Sequence, residues 1–418
     1  MRELSNAPSL AADGFTPLHR RIVLLSLTAS SSLGMVASTI YVPSIPAIAR
    51  ALDTSMSRVQ LTFAGYLLAF AVSMLVLGPL SDRWGRRRTV LYGLALSALS
   101  SLACAFSPSI GFLIGARVLQ GIGACAGMVV GRAITREIWG PAAAAQVIAG
   151  RAIAATLMQA AAPVLGGYLQ HWFGWRANFA VVAALACFAM ILMIRYVPDR
   201  GAAPAARSAG EGMLASYRAL LGTRRFLGYA LAAAGAHAGF HIFAAGAPAV
   251  LIGSFGVSAE QYGYYAALPP LGFLAGSFVS NRLTARLGVN NLITIGTTIL
   301  IPAGFLMVAL ALLHIRDPYA VIGPMIFVCC GSGLITPNAV AGSLGVNPRT
   351  VGAASGLGSF IQMTGAACAT AALSLGPSGK PLTLAIVIAL AGLFCVTAFG
   401  SLMQPSSLAA KADAGAAG

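Results

Sequence analysis

GPLSDRWGRRR, from Gly78 to Arg88, joins two long apolar runs and holds more charge than either of them. Charges gathered in a short hinge between apolar runs place that hinge at a membrane surface. Gly78 and Pro79 are expected to end one helix against its neighbour. Asp82 and Arg83 carry opposite charges that can pair locally, and Gly85 lets the backbone turn tightly. Arg86, Arg87 and Arg88 hold such a loop on the cytoplasmic side. Any polytopic protein has basic loops. The order of residues is more specific, because it demands membrane-length runs on both sides.

Composition agrees with that reading. Hydrophobic residues make up 58% of the 418 and charged residues 9%, against about 25% charged in a soluble domain. The chain is read as all-α and integral to a membrane. Its formal net charge of +16 raises the question of nucleic acid. Phosphate-binding patches cluster on one polar face, whereas here the basic residues fall in short gaps between apolar runs, so nucleic acid is excluded as a partner. With the N-terminus in the cytoplasm, Arg20, Arg21, Arg83, Arg136, Arg195, Arg200, Arg207, Arg224, Arg282, Arg286 and Arg349 fall on that side. Arg50, Arg58, Arg176, Arg316 and Lys380 remain on the other. That is the positive-inside bias, with both termini cytoplasmic, as in a bacterial inner membrane. The seven cysteines all lie in apolar segments and read as packing residues, with no disulfide, metal or cofactor expected. Arg20 and Arg21 before an apolar run look like the start of a signal peptide, but the run is too long and more spans follow. A retained first helix is expected.

Runs of roughly 20 residues follow one another. They cover about 22–40, 59–77, 90–106, 110–134, 147–169 and 179–196, then 226–255, 262–282, 292–313, 319–344, 351–375 and 382–403. The expected layout is a tail (1–21), a six-helix bundle (22–196), a linker (197–225) holding the amphipathic piece MLASYRALL, a second six-helix bundle (226–403) and a tail (404–418). The halves echo each other, as a duplicated transporter requires. GSFVSNRLTARLG, Gly276 to Gly288, takes the place of the first-half hinge, with Asn281 and Arg282 set where Asp82 and Arg83 stand.

These strings carry a family resemblance. GPLSDRWGRRR, RVLQGIGA, GRAITREIW, APVLGGYLQHWFGWRANF, APAVLIGSFGVS and VGAASGLGSFIQ resemble those of the major facilitator superfamily, and within it the Bcr/CflA-type drug-resistance exporters. The resemblance implies twelve helices in two six-helix halves and export of small organic compounds driven by proton entry. One departure stands out. That branch has an aspartate shortly before the first span's Y-x-P, and here the string is STIYVPSIP, with Thr39 in the acid's place. None of the ten acidic residues lies mid-span. Proton antiport ordinarily uses an embedded group that gains and loses a proton.

Arg117 is the first candidate for substrate or coupling work. It sits about two turns into the fourth span, where a guanidinium costs roughly 2.5–3.5 kcal/mol, so a wet cavity or a partner is required. A purely structural arginine, bonded to carbonyls, is the other reading. Gln120 lies one turn on and can share its partner. His237 and His241, four apart, share one helical face and could carry a proton; packing histidines are the alternative. Phe240 and Phe243 would add an aromatic wall, and Tyr41, Tyr66, Asn338 and Gln362 complete the pocket candidates. APVLGG resembles the exporter motif GPxxGG. There Pro163 bends a helix while Gly166 and Gly167 let another helix rock against it. Gating is expected of this motif together with Gly78, Asp82, Arg83, Gly85, Arg86, Arg87, Arg136 and Arg282.

An arginine without an embedded acid makes the cavity neutral to positive, which favours neutral or anionic substrates over lipophilic cations. A uniporter or importer of a metabolite, and a non-transporting receptor on the same fold, remain open. No His-Glu-x-x-His, Ser/Lys pair, paired aspartates or nucleotide-binding loop occurs, so neither an intramembrane enzyme nor direct ATP drive is expected. A monomer is expected.

Overall fold

A computed structural model of the chain describes residues 16–199, 209–347 and 351–403. The terminal tails beyond it, Arg200 and Arg207 of the linker, and Arg349 lie outside the described residues. Helix α1 spans Pro17–Thr39 and is followed by a 3₁₀ turn, Val42–Ser44, and a short α2, Ile45–Ala51. Then come α3 (Met56–Trp84), α4 (Arg86–Ala105), α5 (Ile110–Phe173) and α6 (Trp175–Tyr196). The amphipathic piece of the linker forms α7, Ala209–Leu221. The second half holds α8 (Arg224–Pro248), which runs on as a wider π turn over Ala249–Ser254, then α9 (Ala259–Leu287), α10 (Val289–Leu312), α11 (Pro318–Gly345), α12 (Val351–Leu373) and α13 (Pro381–Met403).

Helix α5 is two limbs joined at Gly140, whose backbone (φ 74°, ψ 167°) is not helical. Counting its limbs, Ile110–Gly140 and Gln146–Phe173, as two gives twelve membrane-length helices among the described residues. Ten are both long and apolar enough to cross a membrane. The others, α9 and α12, have the length, but Gly, Ser and Tyr or Gln dilute their apolarity. The chain is a multi-pass membrane protein, with its helices where the apolar runs predict them.

The hinge differs from expectation in two respects. Gly78 and Pro79 do not end a helix: α3 runs through Pro79 to Trp84 and breaks only at Gly85, at φ 91°, ψ 136°. A proline forfeits one helical hydrogen bond; close by, the Ser81 hydroxyl donates to the Gly78 carbonyl at 2.7 Å. Nor does Asp82 pair with Arg83, because neighbours on a continuous helix point apart. Its partner is Arg86, four residues on, at 3.5 Å. Arg86 also reaches Glu137 at 2.5 Å and the Ala133 carbonyl at 3.4 Å. Arg87 donates to the Ile194 carbonyl at 2.5 Å, and Arg88 lies 3.4 Å from Asp199. The hinge is pinned to the ends of α5's first limb and of α6, all within one half.

The duplication is visible in backbone contacts. Gly93 on α4 and Gly123 on α5 meet so closely that a Cβ at Gly123 would lie 2.6 Å from the Gly93 carbonyl oxygen; Gly296 on α10 and Gly331 on α11 repeat this, also at 2.6 Å. Gly288 breaks the chain between α9 and α10 at φ 78°, ψ 163°, much as Gly85 does between α3 and α4. Aligned on these breaks, Arg286 stands where Arg83 does, each two residues before its glycine, and Ala285 stands where Asp82 does. The equivalence of Asn281–Arg282 with Asp82–Arg83 is therefore out of register.

The first limb of α5 packs on α1, α3 and α4, and α11 packs on α8, α9 and α10. Between halves, α3 lies against α12 and α5 against α9. Four polar contacts join the halves among the described residues, all at the end remote from Gly85. They are Ser57 with Ser378 (2.8 Å), Gln60 Nε2 to the Ala245 carbonyl (3.5 Å), Tyr168 with Tyr264 (2.6 Å) and His171 with Glu260 (2.9 Å). The seam is shut at that end.

A methyl group at Gly123 or Gly331 has nowhere to go. Overpacking of this kind costs about 1–3 kcal/mol. Gly123→Ala and Gly331→Ala should each lower the thermal midpoint of the detergent-solubilised protein. Gly115→Ala, where a Cβ meets nothing within 4 Å, should leave it unchanged. Equal midpoints in all three would refute the close-contact account.

Candidate functional site

Ser109 caps α5, its hydroxyl accepting from the Phe112 amide at 3.3 Å. Two turns on, Arg117 is fully buried. Its Nη1 donates to the Ala37 carbonyl of α1 at 3.0 Å and, in a very short bond, to Gln120 Oε1. Gln120 Nε2 passes the chain on to Ser101 Oγ of α4 at 2.7 Å. The guanidinium carbon lies 4.3 Å from the ring centroid of Tyr41 and 4.2 Å from that of Tyr66, with Phe179 of α6 at 5.9 Å. These are cation–π distances. Among the described residues Nε and Nη2 have no hydrogen-bond partner, so ring faces are their cover.

Local sequence sets the cage. Ile40 and Tyr41 close α1, and Pro43 opens the 3₁₀ turn, which aims the Tyr41 ring inward against Phe179 at 5.4 Å. The Tyr41 hydroxyl bonds Thr62 at 2.9 Å, and the Tyr66 hydroxyl donates to the Gly34 carbonyl at 2.7 Å. Each ring is held by its own hydroxyl. Of the two possibilities open to Arg117, a partner is what it has, and that partner is aromatic. No carboxylate joins it. The acidic side chains described, Asp53, Asp82, Glu137, Asp199, Glu260 and Asp317, lie at helix ends or in the connections between helices.

Thr39 is buried, but its hydroxyl turns to the Met35 carbonyl (3.1 Å) and to the Gln159 carbonyl of α5's second limb (3.4 Å). This is the back-bonding of a short hydroxyl in a helix. Arg151, at the start of that limb, is a second buried guanidinium. It donates to the carbonyls of Gly131 (3.0 Å) and Leu27 (2.8 Å) and to Thr135 (2.5 Å). It locks α1 to both limbs of α5.

His237 and His241 share a face of α8, their rings 4.7 Å apart, with His241 6.0 Å from Phe63 of the opposite half. Phe240 flanks His241 edge-on at 5.5 Å, while Phe243 is buried in the core. Asn338 donates to Ser280 Oγ and to the Leu334 carbonyl, both at 2.7 Å, and accepts from Thr284. It ties α11 to α9. Gln362, half-buried on α12, has an amide nitrogen without a hydrogen-bond partner.

The APVLGG motif sits in the shut seam. A Cβ on Gly263 of α9 would lie 2.7 Å from the Pro163 carbonyl oxygen, one on Gly167 would strike Ala259, and one on Gly166 would strike Ile40 of α1. Arg136 is exposed, and Arg282 lies 5.0 Å over its own helix's Phe278 ring. Gly78 has open space beside it. Sequence reasoning left out Phe179, Gln60 and Phe63 as site residues. The aromatic string WFGWRANF and the helical spacing of Phe63, Tyr66 and Phe70 were the available signals.

The family described as Major Facilitator Superfamily matches residues 27–370. Multidrug resistance protein D of Escherichia coli is 27% identical over 374 residues, covering 90% of this chain and 94% of that protein. A chloramphenicol resistance protein of Pseudomonas aeruginosa is 29% identical, covering 74% and 72%. Among solved structures, a D-xylose–proton symporter superposes with TM-score 0.73 at 14% identity, over 90% of this chain and 97% of the other.

The cage makes a graded expectation. Tyr66→Phe keeps the ring and loses one hydrogen bond, at about 1 kcal/mol. Tyr66→Leu also removes a desolvated ring face, worth about 2 kcal/mol more. Thermal unfolding in detergent should rank wild type above Tyr66→Phe and both above Tyr66→Leu. Equal losses in the two variants would remove the aromatic contact from the account.

Proposed function

Since the chain belongs to the Major Facilitator Superfamily, we propose that it exports small organic compounds across a bacterial inner membrane, by alternating access and in exchange for protons. The observation that carries this is the seam: Pro163 and Gly167 of the exporter-type motif lie directly on α9 of the other half, where rocking would open and shut it. The similarity to proteins named for multidrug and chloramphenicol resistance, over most of their length, supports the same direction of transport. The positive-inside bias puts the Gly85 end in the cytoplasm. On that orientation the shut end of the seam is the one away from the cytoplasm.

The finer reading concerns charge. Arg117 and Arg151 are buried with no acid beside them among the described residues, so the interior of the first half around them offers a cation nothing to pair with. Neutral and anionic compounds are the preferred substrates. The missing carboxylate also favours a second reading, a metabolite uniporter or importer that moves no proton.

Accumulation in efflux-deficient cells separates these readings. Expressing the chain should lower the accumulation of chloramphenicol and anionic antimicrobials several-fold, leave lipophilic cations unaffected, and lose its effect when a protonophore is added. Lower accumulation that ignores the protonophore would favour the uniporter. Rocking at the seam has its own test. Ser57 and Ser378 are hydrogen-bonded across the halves, within reach of a disulfide if both become cysteine. Oxidising Ser57→Cys/Ser378→Cys should abolish transport and reduction should restore it. Full transport by the crosslinked protein would rule out opening at this end.

A further inference from the structure

Resting on the export reading, we propose that His237 and His241 together carry the exchanged proton, so that the seam between the halves couples proton movement to export. The polar ladder across the seam sets their position. Ser57, Gln60 and Phe63 descend α3 one turn at a time from the shut end; Ala245, His241 and His237 descend α8 in the same way. Ser57 bonds Ser378, Gln60 bonds the Ala245 carbonyl, and the next step down is the Phe63–His241 ring contact. The histidines follow directly on the polar contacts of the shut end.

Their hydrogen bonding leaves a base exposed to the seam. His241 Nδ1 is 3.3 Å from the His237 carbonyl, which can only accept. In the neutral ring the proton therefore sits on Nδ1, and Nε2 is free to take another. His237 Nε2 is buried with no hydrogen-bond partner among the described residues. The elements packed on α8 bring the thiols Cys395 (α13), Cys329 (α11) and Cys368 (α12) and the phenols Tyr217 (α7), Tyr262 (α9) and Tyr66 (α3), whose ring faces Arg117. The charged groups described on them, Arg58, Asp82 and Arg83 of α3, Arg218 of α7, Glu260, Arg282 and Arg286 of α9 and Asp317 before α11, stand toward helix ends. Thiols and phenols ordinarily titrate well above neutrality. The two imidazoles are the side chains of this seam whose ring nitrogens can take up and release a proton.

The exchange is a matter of exclusion. An imidazolium at the shut seam would have an aromatic ring and a carbonyl for company and no counter-charge, so seam closure and a charged pair oppose each other. With the seam open, a proton from outside joins Nε2 of His241. Closing drives that proton off through His237, one turn nearer the cytoplasm and still partly exposed. On each imidazole one N–H bond forms and one breaks per cycle, so a single proton passes and neither ring is left charged.

The test uses the full chain in proteoliposomes with labelled chloramphenicol. Counterflow without a pH gradient reports substrate exchange; accumulation driven by an acid interior reports coupling. Wild type should show both. H237Q/H241Q should keep counterflow and lose at least tenfold of gradient-driven accumulation. Intact gradient-driven accumulation in that variant would overturn the proposal and leave export standing. If wild type shows neither activity, export itself fails and the proposal falls with it. Where the double variant loses counterflow, H237Q and H241Q singly decide: with counterflow kept, gradient-driven accumulation falls in each if the proposal is right, and matches wild type in both if it is wrong.

Discussion

A buried guanidinium held by aromatic faces is the constraint on which the first half depends. Placing Arg117 in a span costs roughly 2.5–3.5 kcal/mol. A ring face on a desolvated cation is worth about 2 kcal/mol, and Tyr41 and Tyr66 supply two. Helices α1, α3, α4 and α5 must then hold register together, because Ala37, Tyr66, Ser101 and Gln120 each contribute to one network. Arg151 repeats the device toward the hinge end with carbonyls in place of rings. Among the described residues the two buried cations of the first half, Arg117 and Arg151, meet rings, carbonyls and side-chain oxygens and no anion.

On the export reading, motion falls on the seam between the halves. The hinge salt bridges, Arg86 with Asp82 and Glu137 and Arg88 with Asp199, close within one half. Contacts between halves are of another kind: hydroxyl pairs, one long amide bond, a partly exposed His–Glu pair, and backbone laid on glycine. Polar contacts of this sort are individually worth a fraction of a kcal/mol to about 1. They can be broken and remade without unfolding either bundle, as two rocking halves require.

Much of this was legible in the sequence, for physical reasons that differ by feature. The spans were legible because lipid demands apolar length, and ten of the helices carry that signature unaided. Arg117 was legible because a lone charge in a span is expensive. Its partners were less so. Tyr41 and Tyr66 were on the candidate list, but the rings rather than an acid serve as the counter-group, and Phe179 lies far off in the chain. Thr39 stands where the resemblance leads one to expect an acid, and its hydroxyl serves the packing of α1 on α5. At the hinge, pairing Asp82 with Arg83 treated as a loop what is a continuous helix. The repeat was matched on its polar residues instead of on the glycine that sets the break. Asn338 looked polar enough to line a pocket, but a buried amide finds partners on the nearest helix first.

The duplication, once in register, shows where the two halves part in chemistry. Arg117 lies six residues before Gly123; six before Gly331 the second half has Met325, fully buried. The fixed charge exists on one side only. The second half has instead the imidazoles of α8, which face Phe63 across the seam. A permanent cation cannot change charge with pH, so it can shape which compounds are tolerated but cannot by itself count protons. An imidazole can do both, and its position at a moving interface makes its charge depend on whether that interface is open. On the export reading, the fixed cations of the first half and the imidazoles of the second would divide selection from coupling between the two halves.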